Sequence, residues 1–407
     1  MNRAFRILTA GVFINLCIGV LYAWSVISRA LVAAGWSNSE ASLPYTIAVV
    51  TFAAGVLIAG TLQDKMGPRK LVIAGVAMVG IGMVISSFAV NSPFFLLMTF
   101  GVLVGTGIGF AYACLSPTAM KWFHPSKKGM VNGLIAGGFG MAPLYLAPLS
   151  SSLIASMSIS STFMILGGMV LVIGLPLAFT IVVPEAGYKP EEPAGYVANN
   201  SAPAVNFTWR EMVKTRQFYL MWIAFAFASS AGLLLIGNIT SIAALQGNIT
   251  GAAYLVSLLA VSNTGGRVLM GMLSDKLGRT KTLLLAIALQ TVNMVLFPTF
   301  TTEFGFILGA VIAGIGYGAL LSIFPSMTAD FFGIKNYGTN FGVLYTAWGA
   351  SGFMGPVIAS MIVDSTGSYG MAYTISAVML AIAGFAAFFT KPVDTNTLDR
   401  DGDLAAA

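Results

Sequence analysis

The chain has 407 residues, 57% of them hydrophobic and only 8% charged, with a mean hydropathy of +0.87. Soluble domains carry about 25% charged residues, so the composition excludes a soluble globular protein. The net charge of +6 is spread over loops between apolar runs, which excludes a basic nucleic-acid-binding patch.

Apolar runs of about 20 residues match the length a helix needs to cross a bilayer. They predict twelve spans, at 7–30, 43–62, 71–90, 93–117, 129–154, 161–182, 217–243, 251–273, 282–299, 304–328, 337–362 and 370–390. The short alternating segments of a membrane β-barrel are absent, so the expected class is an all-α membrane protein with the lipid bilayer as its surroundings. Arg3 and Arg6 precede the first run, which is too long for a signal peptide and reads as a retained first helix. Cys17 and Cys114 fall within apolar runs and read as small packing residues; no zinc or haem spacing occurs, and no cofactor is expected.

Eighteen of the 20 Lys and Arg residues fall on one side of this topology, the exceptions being Arg29 and Arg267. The positive-inside rule therefore places both termini in the cytoplasm, with the chain in the cell or inner membrane. The longest loop, Val183 to Arg216, is rich in Pro, Glu, Asn and Ala and reads as a flexible linker. Its end, from Thr208 to Lys214, predicts a short amphipathic helix capped by Thr208. The expected organisation is a six-span half at 1–182, a cytoplasmic linker at 183–216, a second six-span half at 217–393 and a tail at 394–407.

The halves repeat. Gly60, Asp64, Lys65, Gly67 and Arg69 follow the second span, and Gly271, Asp275, Lys276, Gly278 and Arg279 recur in register after the eighth. Trp122, Phe123, Gly129 and Gly133 find a similar echo in Phe331, Phe332, Gly338 and Gly342. Two parallel repeats about an axis along the membrane normal are the logic of one large transporter class. In these turns Asp64 and Asp275 can cap helix N-termini, while the basic residues prefer the cytoplasmic surface.

The residue that asks for an explanation is Arg267, inside the eighth span. A cation at membrane depth costs about 2.5–3.5 kcal/mol on insertion scales. The residue one turn earlier is Asn263, and the next acid along the chain is Asp275. Two roles fit: the side chain reaches along the helix to the inner surface, about 12 Å away at 1.5 Å per residue, or it meets an anionic ligand with two parallel donors. Asn263 shares its face and suits either a ligand contact or an interhelical hydrogen bond. Tyr22, Tyr112, Tyr317 and Tyr345 sit several residues inside the first, fourth, tenth and eleventh spans, where they suit a cavity lining or an interfacial belt. His124, the only histidine, lies in a loop beside Lys127 and Lys128 and reads as a surface residue or a proton relay.

The repeated Gly-xxx-Asp-xx-Gly turn, with twelve spans in two halves, resembles the signature of the major facilitator superfamily. Within it, Trp122–Leu134, Glu211–Phe218, Asp330–Lys335 and Arg267 resemble the monocarboxylate transporter family and its oxalate/formate relatives. The resemblance implies the major facilitator fold, no enzymatic activity, and a functional monomer that moves a small carboxylate by rocking its halves. It also implies a substrate role for Asn132, and gating roles for Asp64, Arg69, Asp275 and Arg279. The chain departs from family patterns in having Asn263 where animal members have Asp, and no lysine in Tyr22–Val26 or Tyr345–Gly349. One buried cation points to one carboxylate. The expected function is proton-coupled symport of lactate, pyruvate or a similar monocarboxylate, with exchange of the oxalate/formate type as the alternative. No carboxylate lies in the middle of a span, so the proton is expected on the substrate carboxyl or on a water-linked group such as Asp275 or Asp330.

Overall fold

A computed structural model of the chain describes residues 3–36, 38–185, 187–190, 206–249 and 252–392. Most of the linker, at 191–205, and the tail, at 394–407, lie outside the described residues. All regular structure among the described residues is helical, and eleven of the helices are long and apolar enough to cross a membrane. Two compact units form, one from the described residues of Met1–Phe123 and Leu134–Tyr188, the other from those of His124–Gly133 and Lys189–Ala407.

The first unit holds α1 (Arg3–Ala33), α2 (Asn38–Met66), α3 (Pro68–Ser86), α4 (Pro93–Met120), most of α5 (Lys128–Ser156) and α6 (Ile159–Phe179). Lipid offers no hydrogen bonds, so polar groups on these helices must find partners on their neighbours. Asn15 donates Nδ2 to the Ile135 carbonyl at 2.7 Å, and the Tyr145 hydroxyl donates to the Leu16 carbonyl at 2.8 Å. Both bonds seat α1 on α5 just before α1 tightens into a 3-10 turn at Gly19–Ala23.

The second unit holds the start of α5, then α7 (Arg216–Gly247), α8 (Ala253–Leu277), α9 (Arg279–Leu296), α10 (Glu303–Phe332), α11 (Tyr337–Met354), α12 (Pro356–Thr366) and α13 (Gly370–Phe388). The span expected at 337–362 is thus two helices broken at Gly355, because Pro356 supplies no N–H to continue α11 and disfavours helical backbone before it. The helix expected at Thr208 forms as a single turn, Trp209–Met212. Its Glu211 carboxylate accepts from the Thr208 N–H at 2.7 Å, which holds the Glu211 carboxyl below the usual range. Just before it, Phe207 pairs with the end of α10. Its N–H donates to the Phe332 carbonyl, and its own carbonyl accepts from Asn336 and Asn340, each at 3.0 Å.

The repeat seen in the sequence is one turn built twice. Gly67, between α2 and α3, has φ 80° and ψ 153°; Gly278, between α8 and α9, has φ 92° and ψ 152°. That region of backbone space is open essentially to glycine alone.

α8 and α10 meet main chain to main chain. A Cβ on Gly318 would strike the Asn263 carbonyl oxygen, and one on Gly314 would lie 2.7 Å from the Leu259 carbonyl oxygen. Small residues at such a crossing let van der Waals packing hold two helices together in lipid. Gly318→Val is expected to separate α8 from α10 and lower the unfolding midpoint in detergent by several degrees. Gly265→Ala, whose added methyl meets nothing within 4 Å, is expected to behave as wild type. Thermal unfolding of both variants in the same detergent checks this.

Candidate functional site

Arg267 is 1% exposed, although it is among the largest side chains in the protein. Its guanidinium neither runs to the surface nor faces acyl chains. Nε donates to Asn263 Oδ1 at 3.0 Å, one turn earlier on α8, and Asn263 is itself 4% exposed. The close contact of α8 with α10 fixes the main chain at both residues, because Gly318 packs against the Asn263 carbonyl and the Arg267 amide. The expected pairing of Arg267 and Asn263 on one face is therefore a hydrogen bond, with an uncharged partner.

Tyr317 and Tyr345 fall in a second group. The Trp348 indole donates Nε1 to the Tyr317 hydroxyl at 2.8 Å, and its ring stacks on Tyr345 with centroids 5.0 Å apart. Trp348 was not singled out in the sequence, although it stands one helical turn after Tyr345. In the first unit, Tyr22 and Tyr112 both meet the ring of Phe139 edge-on, at 5.5 and 5.4 Å, and Phe52 lies against Tyr112 and Phe139. Tyr22 is half-buried and Tyr112 is 9% exposed. These four tyrosines are interior residues of their helices, not a surface belt. Asn132 is 1% exposed and donates its amide to the Leu321 and Ser322 carbonyls of α10, at 3.2 and 2.9 Å.

A charged network closes one end of the second unit. The two carboxylate oxygens of Asp275 accept from the N–H groups of Gly129 and Met130, at 2.9 and 2.8 Å. Asp275 thus caps the first turn of α5, where exposed N–H groups and the helix dipole favour an anion. Arg279 pairs with Asp275 and, through Nε at 2.9 Å, with Asp330; Lys128 reaches Asp330 at 2.8 Å. The Asp64 side chain lies outside the described residues, and Arg69 is exposed. His124 accepts through Nδ1 from the Ser126 N–H at 3.3 Å, capping the one-turn helix Pro125–Lys127.

The chain matches the Major Facilitator Superfamily model over residues 7–248 and 234–405. The chain belongs to the Major Facilitator Superfamily. Members of the superfamily are similar to it over most of their lengths. The oxalate:formate antiporter of Oxalobacter formigenes is 29% identical over 96% of this chain and 92% of its own. Human monocarboxylate transporter 2 is 26% identical over 82% and 74%. Among solved structures, the E. coli fucose:proton symporter FucP superposes with a TM-score of 0.74 at 15% identity, covering 96% of this chain and 100% of its own. Fold and relatives are those of multi-pass membrane transporters, not of enzymes.

In this superfamily member Gly67 and Gly278 give both copies of the repeated turn the same backbone, and Asp275 of the second copy caps a helix distant in the chain. Removing the cap leaves two N–H groups and a guanidinium short of an acceptor, at about 1–3 kcal/mol for an unsatisfied buried group. Asp275→Ala is expected to lower the unfolding midpoint in detergent by several degrees. Asp275→Asn, which keeps one acceptor oxygen, is expected to fall between it and wild type.

Proposed function

We propose that the protein carries one small monocarboxylate, of lactate or pyruvate size, together with one proton, by alternating access. The observation that carries this reading is Arg267, a guanidinium 1% exposed on a membrane-spanning helix and held at Nε by the neutral amide of Asn263. A guanidinium fixed in that way meets a carboxylate end-on through its two Nη groups, in two parallel hydrogen bonds. The arriving carboxylate takes over from any protein acceptors those groups hold. The resulting pair is neutral, which lowers the cost of holding either charge in a low-dielectric interior.

One such cation, with no lysine in Tyr22–Val26 or Tyr345–Gly349, favours one carboxylate over two. Relatives named as an oxalate:formate antiporter and a monocarboxylate transporter support a small carboxylate as the substrate class. Tyr22, Tyr112, Tyr317 and Tyr345 are assigned to the walls of the substrate path. Asp275 and Arg279 are assigned to its gating, with Asp64 and Arg69 as their counterparts in the first repeat. Asp275 and Asp330 are committed to cations and, for Asp275, to main-chain N–H groups. The proton is therefore assigned to the substrate itself, joining its carboxylate when that leaves Arg267. The distribution of Lys and Arg sets both termini in the cytoplasm of a cell with the protein in its inner membrane, and a single chain suffices.

A second reading is exchange of small carboxylates. It is favoured by the antiporter from Oxalobacter formigenes, which aligns with 96% of this chain. Proteoliposomes separate the two. Symport is expected to show uptake of labelled lactate or pyruvate into empty vesicles, accelerated by an inward proton gradient. Uptake that needs internal anion and ignores pH would establish exchange instead. Arg267→Lys is expected to reduce uptake on the order of 100-fold with the protein still inserted, because an ammonium cannot offer the two parallel donors. Wild-type rates in that variant would remove the anchor.

A further inference from the structure

Pro325 lies inside α10, so the carbonyl four residues earlier, on Leu321, has no helical N–H to accept. At membrane depth water does not fill the gap, and another protein donor must. Asn132 does: its Nδ2, on a side chain 1% exposed, donates to Leu321 at 3.2 Å and to Ser322 at 2.9 Å. Ser322 returns the contact by donating its hydroxyl to the Gly129 carbonyl at 3.3 Å, so the start of α5 and the open turn of α10 are bonded in both directions. The next residue, Gly133, lies against the main-chain carbonyl of Arg267, closer than any Cβ would permit. One dipeptide therefore touches both the proline-opened turn of α10 and the turn of α8 that carries the guanidinium.

We propose that Asn132 is a positioning residue for the Arg267 site rather than a ligand of the substrate. Its amide replaces the N–H that Pro325 lacks, and this sets the height of the first turn of α5 against α10. Gly133 transmits that height to the Arg267 turn. The proposal rests on Arg267 as the carboxylate anchor and adds what holds the anchor in place. It also gives Pro325 a purpose: an ordinary helical residue there would close the Leu321 carbonyl within α10 and leave the Asn132 amide only the Ser322 carbonyl.

The test is a double-mutant cycle between Asn132→Ala and Pro325→Ala, since alanine at 325 restores an N–H to the Leu321 carbonyl. The full chain is reconstituted in liposomes, and uptake of labelled lactate and of labelled oxalate is measured against concentration. Asn132→Ala is expected to raise KM about tenfold with the maximal rate within about twofold, the size expected for loss of one buried hydrogen-bond donor. In the Pro325→Ala background the same substitution is expected to move KM less than about twofold. Equal penalties in the two backgrounds would overturn the pairing. A fall in maximal rate alone, with KM unmoved, would reduce Asn132 to a structural part.

The cycle is read in parallel as the unfolding midpoint in detergent, which needs no substrate. There Asn132→Ala is expected to lower the midpoint more in the native background than beside alanine at 325, and strict additivity would again overturn the pairing. If the wild-type chain carries neither acid, the carboxylate reading fails, and the midpoint cycle still decides whether Asn132 and Pro325 act together.

Discussion

A guanidinium buried to 1% exposure on a membrane-spanning helix is stable only if its surroundings are already in place. One part of the surroundings of Arg267 is a contact that is not itself electrostatic. Gly318 and Gly314 let the main chain of α10 lie on the main chain of α8 at Asn263 and Leu259. With the backbone fixed, Asn263 holds Nε at 3.0 Å and sets the plane of the guanidinium. For the proposed carboxylate anchor orientation matters as much as charge, because two parallel donors recognise a carboxylate only in one plane. The partner at position 263 is a neutral amide, which steadies the guanidinium through one hydrogen bond.

Around this centre, the second unit solves a recurring problem of helices in lipid: every interruption releases main-chain groups that water cannot satisfy. Pro325 opens a carbonyl that Asn132 closes. The free N–H groups at the start of α5 go to Asp275, and the docked Phe207 uses the carbonyl at the end of α10 and the amides of Asn336 and Asn340. Each closure joins segments far apart in the chain. The irregular points of the helices are thus also the points where they are tied together.

The aromatic residues follow a different rule. Trp348 binds Tyr317 and stacks on Tyr345, while Phe139 gathers Tyr22 and Tyr112. Rings meeting edge-on or offset gain about 0.5–1.5 kcal/mol per pair beyond the area they bury, so these groups form rigid walls. These rigid groups sit at interior positions of their helices, as the walls proposed for the substrate path require.

Composition and hydropathy alone determined that the chain is helical and membrane-embedded, because the bilayer imposes span length and apolarity directly on the sequence. The repeated glycine–aspartate turn was legible for a similar reason: the backbone at Gly67 and Gly278 admits little but glycine, so geometry shows as a letter. Arg267 was legible because a cation in an apolar run is rare enough to need a cause. Which way a polar side chain turns was not. Asn132 suited a substrate contact in the sequence, and only packing showed that its amide goes to Leu321 and Ser322, because one of the two carbonyls is opened by a proline 193 residues later in the chain. The helix capped by Asp275, the partner of Tyr317 and the break that divides 337–362 into α11 and α12 were likewise decided by tertiary structure. Donors, rings and prolines are visible in a sequence, but the neighbour that satisfies each one is chosen only when distant helices meet.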